Sequence, residues 1–275
     1  MLGVEVVTLG GRPFEVHRVP GEGPLVVFVN GCGVAMEGWL ATVDELRGRR
    51  ALLFNRPGYA VGDALPRFGD EVADLARLIE RESPGEPVVL VGHSMAGFHI
   101  EGLARLRPDL VAGAVLVDPT VEFVAYPKLP VAGAARLARL LLRSRHVQRV
   151  FARVYWLGVM PQTVTDARID PEIWVKPYRE QRQLATCAAE GLSYPAQAHG
   201  LVRLRRRTAW HPKPIVVLSA HHDGAYGVWG RRHVRWARRA GADLVQVQGS
   251  GHMMLLDRPA LIADHINTVA RATLG

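Results

Sequence analysis

The sequence predicts an α/β protein in which a mostly parallel sheet is covered by helices on both faces and a helical segment is inserted late in the chain. Three observations carry this. Short β-branched runs alternate with helical patterns from the N-terminus onward. Several of those runs are apolar without interruption, as strands are when both their faces are buried. Between Asp118 and Pro214 the alternation stops, and helix-like sequence broken at Pro127, Pro130, Pro161, Pro171, Pro177 and Pro195 takes its place.

In order, residues 4–9 and 14–19 read as an opening pair of strands around the Gly10-Gly11 turn. Residues 24–29 are a continuous apolar strand ending at Asn30-Gly31-Cys32-Gly33, with a helical stretch after it through Trp39 and Leu46. The strand at 51–54 is stopped by Asn55-Arg56-Pro57-Gly58. Residues 70–81 place Val72, Leu75, Leu78 and Ile79 on one stripe of an amphipathic helix. The strand at 87–91 runs straight into Gly92-His93-Ser94-Met95-Ala96-Gly97, and a helical pattern continues to Arg107. A buried strand at 114–117 precedes the insertion. Beyond it come the strand 215–218, a helix from 229 to 240, the strand 243–247, the loop Gly249-Ser250-Gly251-His252, and a last helix starting near Pro259.

Composition excludes several classes. At 275 residues, 48% apolar and 22% charged, the chain can bury a full core, and disorder does not describe it. The first twenty residues contain acids and glycines where a secretory signal needs a basic start and an unbroken apolar stretch. No run reaches the roughly eighteen apolar residues that a membrane span requires, so no transmembrane segment is expected. Two cysteines, Cys32 and Cys187, make neither a disulfide framework nor a thiolate metal site, and they fit a reducing cytoplasm. The net charge of +8 is localised: residues 119–213 hold sixteen Lys+Arg against six Asp+Glu. The positive charge therefore belongs to the insertion, which suggests an acidic partner more than a nucleic acid.

The chemistry concentrates at the turn Gly92–Gly97. A serine between a buried strand and a helix can be held with its hydroxyl exposed and backbone amides beside it. Ser94 is so placed. With Asn30-Gly31-Cys32 before Trp39, with Asn55-Arg56-Pro57-Gly58-Tyr59 to Asp63, and with Gly251-His252 followed by Asp257 and Pro259, the chain resembles the α/β-hydrolase superfamily over essentially its whole length. It departs from the family pattern at Ala96, Asn30 and Asn55, where a glycine, a histidine and an aspartate are usual. A dehalogenase would need an aspartate in the elbow, so Ser94 argues against that branch.

The resemblance implies the α/β-hydrolase fold and a serine hydrolase acting on an ester, thioester or lactone through an acyl-enzyme, without cofactor or metal. It implies Ser94 as nucleophile, His252 as base and Asp223, just after the strand 215–218, as the acid. Asp118, at the end of the preceding sheet strand, is the alternative acid. The backbone N–H groups of Cys32 and Met95 are the implied oxyanion donors. Of the other histidines, His93, His99 and His265 read as structural, and a metal reading of His221-His222 with Asp223 and His233 matches no familiar ligand spacing. Residues 119–213 resemble the cap many members carry, which leaves 1–118 and 214–275 as the core. The partner expected is a small-molecule acyl substrate, anionic or bound to a carrier protein. A non-hydrolytic enzyme retaining the triad and a non-catalytic binding protein are the alternative readings.

Overall fold

A computed structural model describes residues 3–59, 61–62, 65–127, 131–164, 181–211, 213–221 and 227–274. Eight strands form one sheet: β1 (Val4–Leu9), β2 (Arg12–Val19), β3 (Glu22–Val29), β4 (Arg49–Asn55), β5 (Val88–His93), β6 (Val111–Val117), β7 (Ile215–His221) and β8 (Asp243–Gln248). Their spatial order is β1-β2-β4-β3-β5-β6-β7-β8. The pairs β1–β2 and β2–β4 are antiparallel and every other pair is parallel. The chain leaves β3 for β4 on one side and returns to β5 on the other, so the direction of winding switches between β3 and β5. In open α/β sheets the crevice at such a switch, beyond the carboxyl ends of the strands, is where ligands bind.

The helices are α1 (Leu40–Glu45), α2 (Phe68–Glu82), α3 (Ala96–Leu106), α4 (Val131–Leu141), α5 (Arg145–Val159), α6 (Gln181–Arg205), α7 (Val228–Ala240), α8 (Met254–Asp257) and α9 (Pro259–Ala272). Alternation along the central strands divides the core in two. Val27 and Val29, Leu90, and Ala114 and Leu116 face a layer with Leu75, Leu78 and Ile79 of α2, Ile100 and Leu103 of α3 and Trp236 of α7. Val26 and Phe28, Val89 and Val91, and Val115 and Val117 face Trp39 together with Ile262, Ile266 and Val269 of α9. Burial on both faces explains why these strands read as unbroken apolar runs in the sequence.

Most differences from the expected elements lie at their ends: β4 begins two residues earlier, β6 begins at Val111, and β7 extends to His221. Edge residues are recruited by ladder hydrogen bonds with neighbours distant in sequence, which periodicity does not reveal. Pro195, expected to break the insertion, lies inside α6. The residue whose carbonyl its ring crowds, four positions earlier, is Gly191, and buried contacts on both sides of the proline hold the helix. Among the described residues no helix is long and apolar enough to cross a membrane.

Two buried histidines make stability depend on pH. Burial pulls the imidazoles of His93 and His99 down to about 3, and the nearby Arg56 also opposes a charge on His99. Unfolded histidine takes up its proton near pH 6.5, so between about pH 6.5 and pH 3 the unfolded chain binds protons that the folded one refuses. Stability contributed by neutral burial is thus complete above pH 6.5 and falls as the solution is acidified through that window. Thermal melts should show a lower Tm at pH 4.5 than at pH 7.5, and His99→Gln should reduce that drop. An equal drop in the variant would assign the acid sensitivity elsewhere.

Candidate active site

β5 delivers Ser94 into a turn so tight that its φ is +54°, the left-handed region that side chains disfavour. The surroundings enforce it: Ser94 N–H donates to Val117 O at 3.1 Å, and Ser94 O accepts from Gly97 N at 3.0 Å and Thr120 N at 2.8 Å. The hydroxyl then stands half-buried at the carboxyl edge of the sheet. Ala96 is fully buried at the elbow, so its methyl group is accommodated there.

The loop after β8 brings His252 to that hydroxyl, with Nε2 3.0 Å from Ser94 Oγ. Several contacts fix the loop. His252 O accepts from His93 Nε2 at 2.9 Å, Met253 N–H donates to Gln162 O at 2.8 Å, and Gly251 N–H donates to Asp257 Oδ2 at 2.7 Å. The imidazole lies 4.7 Å from the His93 ring and meets Trp229 edge-on at 5.8 Å.

The carboxylate on the far side of His252 is that of Asp118, the alternative acid, with Oδ2 2.5 Å from Nδ1. Asp223, expected in this role, lies outside the described residues. Asp118 follows β6 directly and has a φ of +41°, a second strained position within the same cluster. Its N–H donates to Leu218 O at 2.7 Å, its Oδ1 accepts from Ala220 N at 2.8 Å, and its Oδ2 also accepts from Trp229 Nε1 at 3.1 Å. Strand β7 and helix α7 therefore aim this carboxylate. Neutral His233 beside it spends both ring nitrogens elsewhere: Nε2 donates to Pro119 O and Nδ1 accepts from Ser219 Oγ, each at 2.7 Å. With its Nδ1–H given to Asp118, His252 presents the Nε2 lone pair to Ser94, the tautomer a general base needs.

The loop after β3 passes against the elbow. A Cβ on Gly31 would stand 2.8 Å from His93 Nδ1 and 3.2 Å from Ser94 Cβ, so only glycine allows this approach. Cys32 follows it, and desolvation together with the neighbouring Glu190 carboxylate pushes its thiol up to about 12. The thiol therefore stays protonated. Met95 N–H lies at the start of α3, where amides have no partner within the helix.

One group in this region carried no sequence signal. Glu190 of α6, 1% exposed, receives Gly33 N at 2.8 Å and Tyr59 Oη at 2.6 Å on one oxygen, and Arg56 Nε at 3.0 Å and Nη2 at 2.5 Å on the other. Arg56 in turn donates to Asn30 O at 2.5 Å and Gly31 O at 2.9 Å. One carboxylate of the insertion thus ties α6 to the loops after both β3 and β4. Glu71, 3.5 Å from Arg56, is pushed up to about 7 by burial despite that cation. Removing Glu190 would leave Arg56 buried without its main counter-charge, which typically costs about 3–5 kcal/mol. Glu190→Ala should therefore lower unfolding free energy by that order in urea titrations, and a change under about 1 kcal/mol would mean the pair is solvated and not structural.

Among the described residues no cluster of His, Cys, Asp and Glu could hold a metal ion. Comparison with known proteins agrees with the architecture. A model of the alpha/beta hydrolase family matches residues 26–265. Lipase LipV of Mycobacterium tuberculosis is 35% identical over 106 residues, an alignment covering 38% of this chain and 40% of the lipase. The chain thus matches about two fifths of the length of that curated relative. Among solved structures, a thermophilic esterase from Thermogutta terrifontis is 22% identical with a TM-score of 0.67 over 98% of both chains. An α/β-hydrolase fold protein from Burkholderia ambifaria is 17% identical with a TM-score of 0.75 over 97% of both. At these identities the two structures share the fold.

Proposed function

The chain belongs to the α/β-hydrolase family, and from that premise we propose that it is a serine hydrolase cleaving an ester, thioester or lactone through an acyl-enzyme. The observation that carries this reading is the continuous relay from Asp118 through both nitrogens of His252 to Ser94 Oγ, at 2.5 Å and 3.0 Å. Serine alone is a weak nucleophile near neutral pH. As Oγ bonds to the acyl carbon, its proton passes to His252 Nε2, and Asp118 stabilises the imidazolium that forms. The amides of Cys32 and Met95 receive the negative charge developing on the carbonyl oxygen; one such donor is typically worth about 10²–10³ in rate.

Collapse of the tetrahedral intermediate breaks the bond to the leaving group, which takes the proton from His252. The acyl group remains on Ser94 until water, deprotonated by the same histidine, releases it as the acid. Ester relatives such as the mycobacterial lipase favour this class of substrate. Residues 119–213 serve in this reading as a cap over the acyl site, tied down through Glu190 and through Tyr155, whose hydroxyl donates to Gly33 O at 2.6 Å. The test is an intact-mass spectrum after exposure to a serine-reactive fluorophosphonate, followed by a panel of acyl esters of increasing chain length. One adduct per chain with ester turnover supports the reading; no adduct and no turnover on any ester overturns it.

A further inference from the structure

Three successive peptide units beside the elbow are held by two charged side chains to which the proposed chemistry gives no part. Arg56, just past β4 and 3% exposed, donates to Asn30 O at 2.5 Å and to Gly31 O at 2.9 Å. Glu190 of α6 receives Arg56 on one oxygen and Gly33 N–H, at 2.8 Å, on the other. The Asn30 side chain fixes the start of the same loop: Nδ2 donates to Phe54 O at 2.8 Å, and Oδ1 accepts from Trp39 Nε1 at 3.1 Å. A buried ion pair is costly to desolvate, and further hydrogen bonds are needed to offset that cost. Here those bonds go to the backbone on both sides of Cys32.

Peptide geometry turns this grip into a direction. The bond between Gly31 and Cys32 is trans, so its carbonyl and its N–H point to opposite sides of one planar unit. With Gly31 O held on Arg56, Cys32 N–H is aimed away from the guanidinium. Among the described residues it has no hydrogen-bond partner, and neither has Met95 N–H. Cys32 packs on the apolar cluster that contains Met95, and a Cβ on Gly31 would stand 3.2 Å from Ser94 Cβ. Two amides with nothing to bond thus lie on segments that adjoin the nucleophile. A cation on the carbonyl oxygen also draws charge through the peptide, which makes its N–H the stronger donor.

We propose that Arg56 and Glu190 are positioning residues for acyl transfer. Arg56 orients and polarises the Gly31–Cys32 peptide so that Cys32 N–H meets the oxyanion, and Glu190 holds both Arg56 and the next peptide in place. This role rests on the serine-hydrolase reading of Ser94. A pair needed only to fasten α6 to the core could have bonded to any carbonyl within reach. These bonds fall instead on the two peptides that flank Cys32 and on the one before them. Because Glu190 belongs to α6, the amide is fully set only while that helix is seated on the loops after β3 and β4.

E190Q and R56K test this, each assayed below its own melting temperature. E190Q removes the charge that holds Arg56, whereas R56K keeps a cation there but loses the planar fork that grips two carbonyls. Each should lower kcat on an ester by about 10², the typical worth of one oxyanion donor, with KM near the parent value. The double variant should lose no more than either single one, since both act through one amide. A trifluoromethyl ketone reads the same amide without turnover: Ser94 Oγ bonds to its carbonyl carbon, the hydroxyl proton passes to His252, and the carbonyl π pair stays on oxygen as the oxyanion. Its affinity should fall in step with kcat. Cys32 and Cys187 are the only cysteines, so protein labelled with ¹⁵N-cysteine gives two backbone amide resonances, and C32S identifies that of Cys32 by its loss. That resonance should move downfield when the ketone adds to the parent and stay nearly still in E190Q and R56K. With an active parent, a kcat loss under about threefold in both variants, or a Cys32 shift equal to the parent's, overturns the proposal and leaves the hydrolase reading standing. A parent that neither turns over esters nor adds the ketone overturns that reading and this role with it. Should both variants fail to fold, the parent decides alone: a Cys32 resonance unmoved by the bound ketone overturns the proposal.

Discussion

Ser94→Ala is expected to abolish both fluorophosphonate labelling and ester turnover, with kcat falling by about 10⁶ toward the level that binding and oxyanion stabilisation alone sustain. The fold should survive. Among the described residues Ser94 Oγ has hydrogen-bond partners only in His252 at 3.0 Å and, marginally, Thr120 Oγ1 at 3.5 Å, so no structural network of those residues depends on it. Alanine keeps the Cβ, and the φ of +54° is imposed by the hydrogen bonds of residue 94's backbone, which the substitution leaves in place. Tm should thus stay near the parent value while activity is lost. Labelling that persists at one adduct per chain in Ser94→Ala would place the nucleophile at another residue.

The sequence showed this serine because its signal is local: an apolar strand, a tight turn and a helix occupy consecutive residues, and burial of β5 on both faces makes the strand unmistakable. The parallel core was legible for the same reason. The family resemblance rests on local motifs too and could place His252 in its loop after β8. What was not legible depends on contacts between distant residues. Glu190 lies 134 positions from Arg56, inside a helix whose other buried residues include alanine, leucine and cysteine, and nothing in the spacing pairs the two. The acid posed the same problem in a sharper form. Asp118 and Asp223 each follow a strand end, at β6 and beyond β7, and a linear pattern cannot say which carboxylate lies under the imidazole. Trp229 and Leu218 O, which hold Asp118 in place, come from α7 and β7, roughly a hundred residues away in the chain.

Asp118→Asn should lower kcat by about 10⁴ with little change in KM, the size of effect seen when a triad base is forced into the wrong tautomer. The amide can donate to His252 Nδ1, where the carboxylate only accepted. The ring proton then moves to Nε2, and no lone pair faces Ser94 Oγ. The developing imidazolium also loses its negative partner. Stability should fall by only about 1–3 kcal/mol, the usual cost of one mismatched buried donor, because an amide oxygen can still accept from Ala220 N while Trp229 Nε1 meets an NH₂ group in place of a carboxylate oxygen. Thermal melts separate that loss from the kinetic one. A structural role alone would not change the proton distribution on His252, so the decisive readout is the imidazole N–H resonance: a strongly downfield Nδ1 proton should be present in the parent and absent in Asp118→Asn. Asp223→Asn should keep that resonance and most of the parent rate. The opposite ranking on folded variants, with Asp223→Asn inactive and Asp118→Asn near the parent, would move the acid to the loop after β7 and leave the 2.5 Å contact between Asp118 and His252 without a catalytic role.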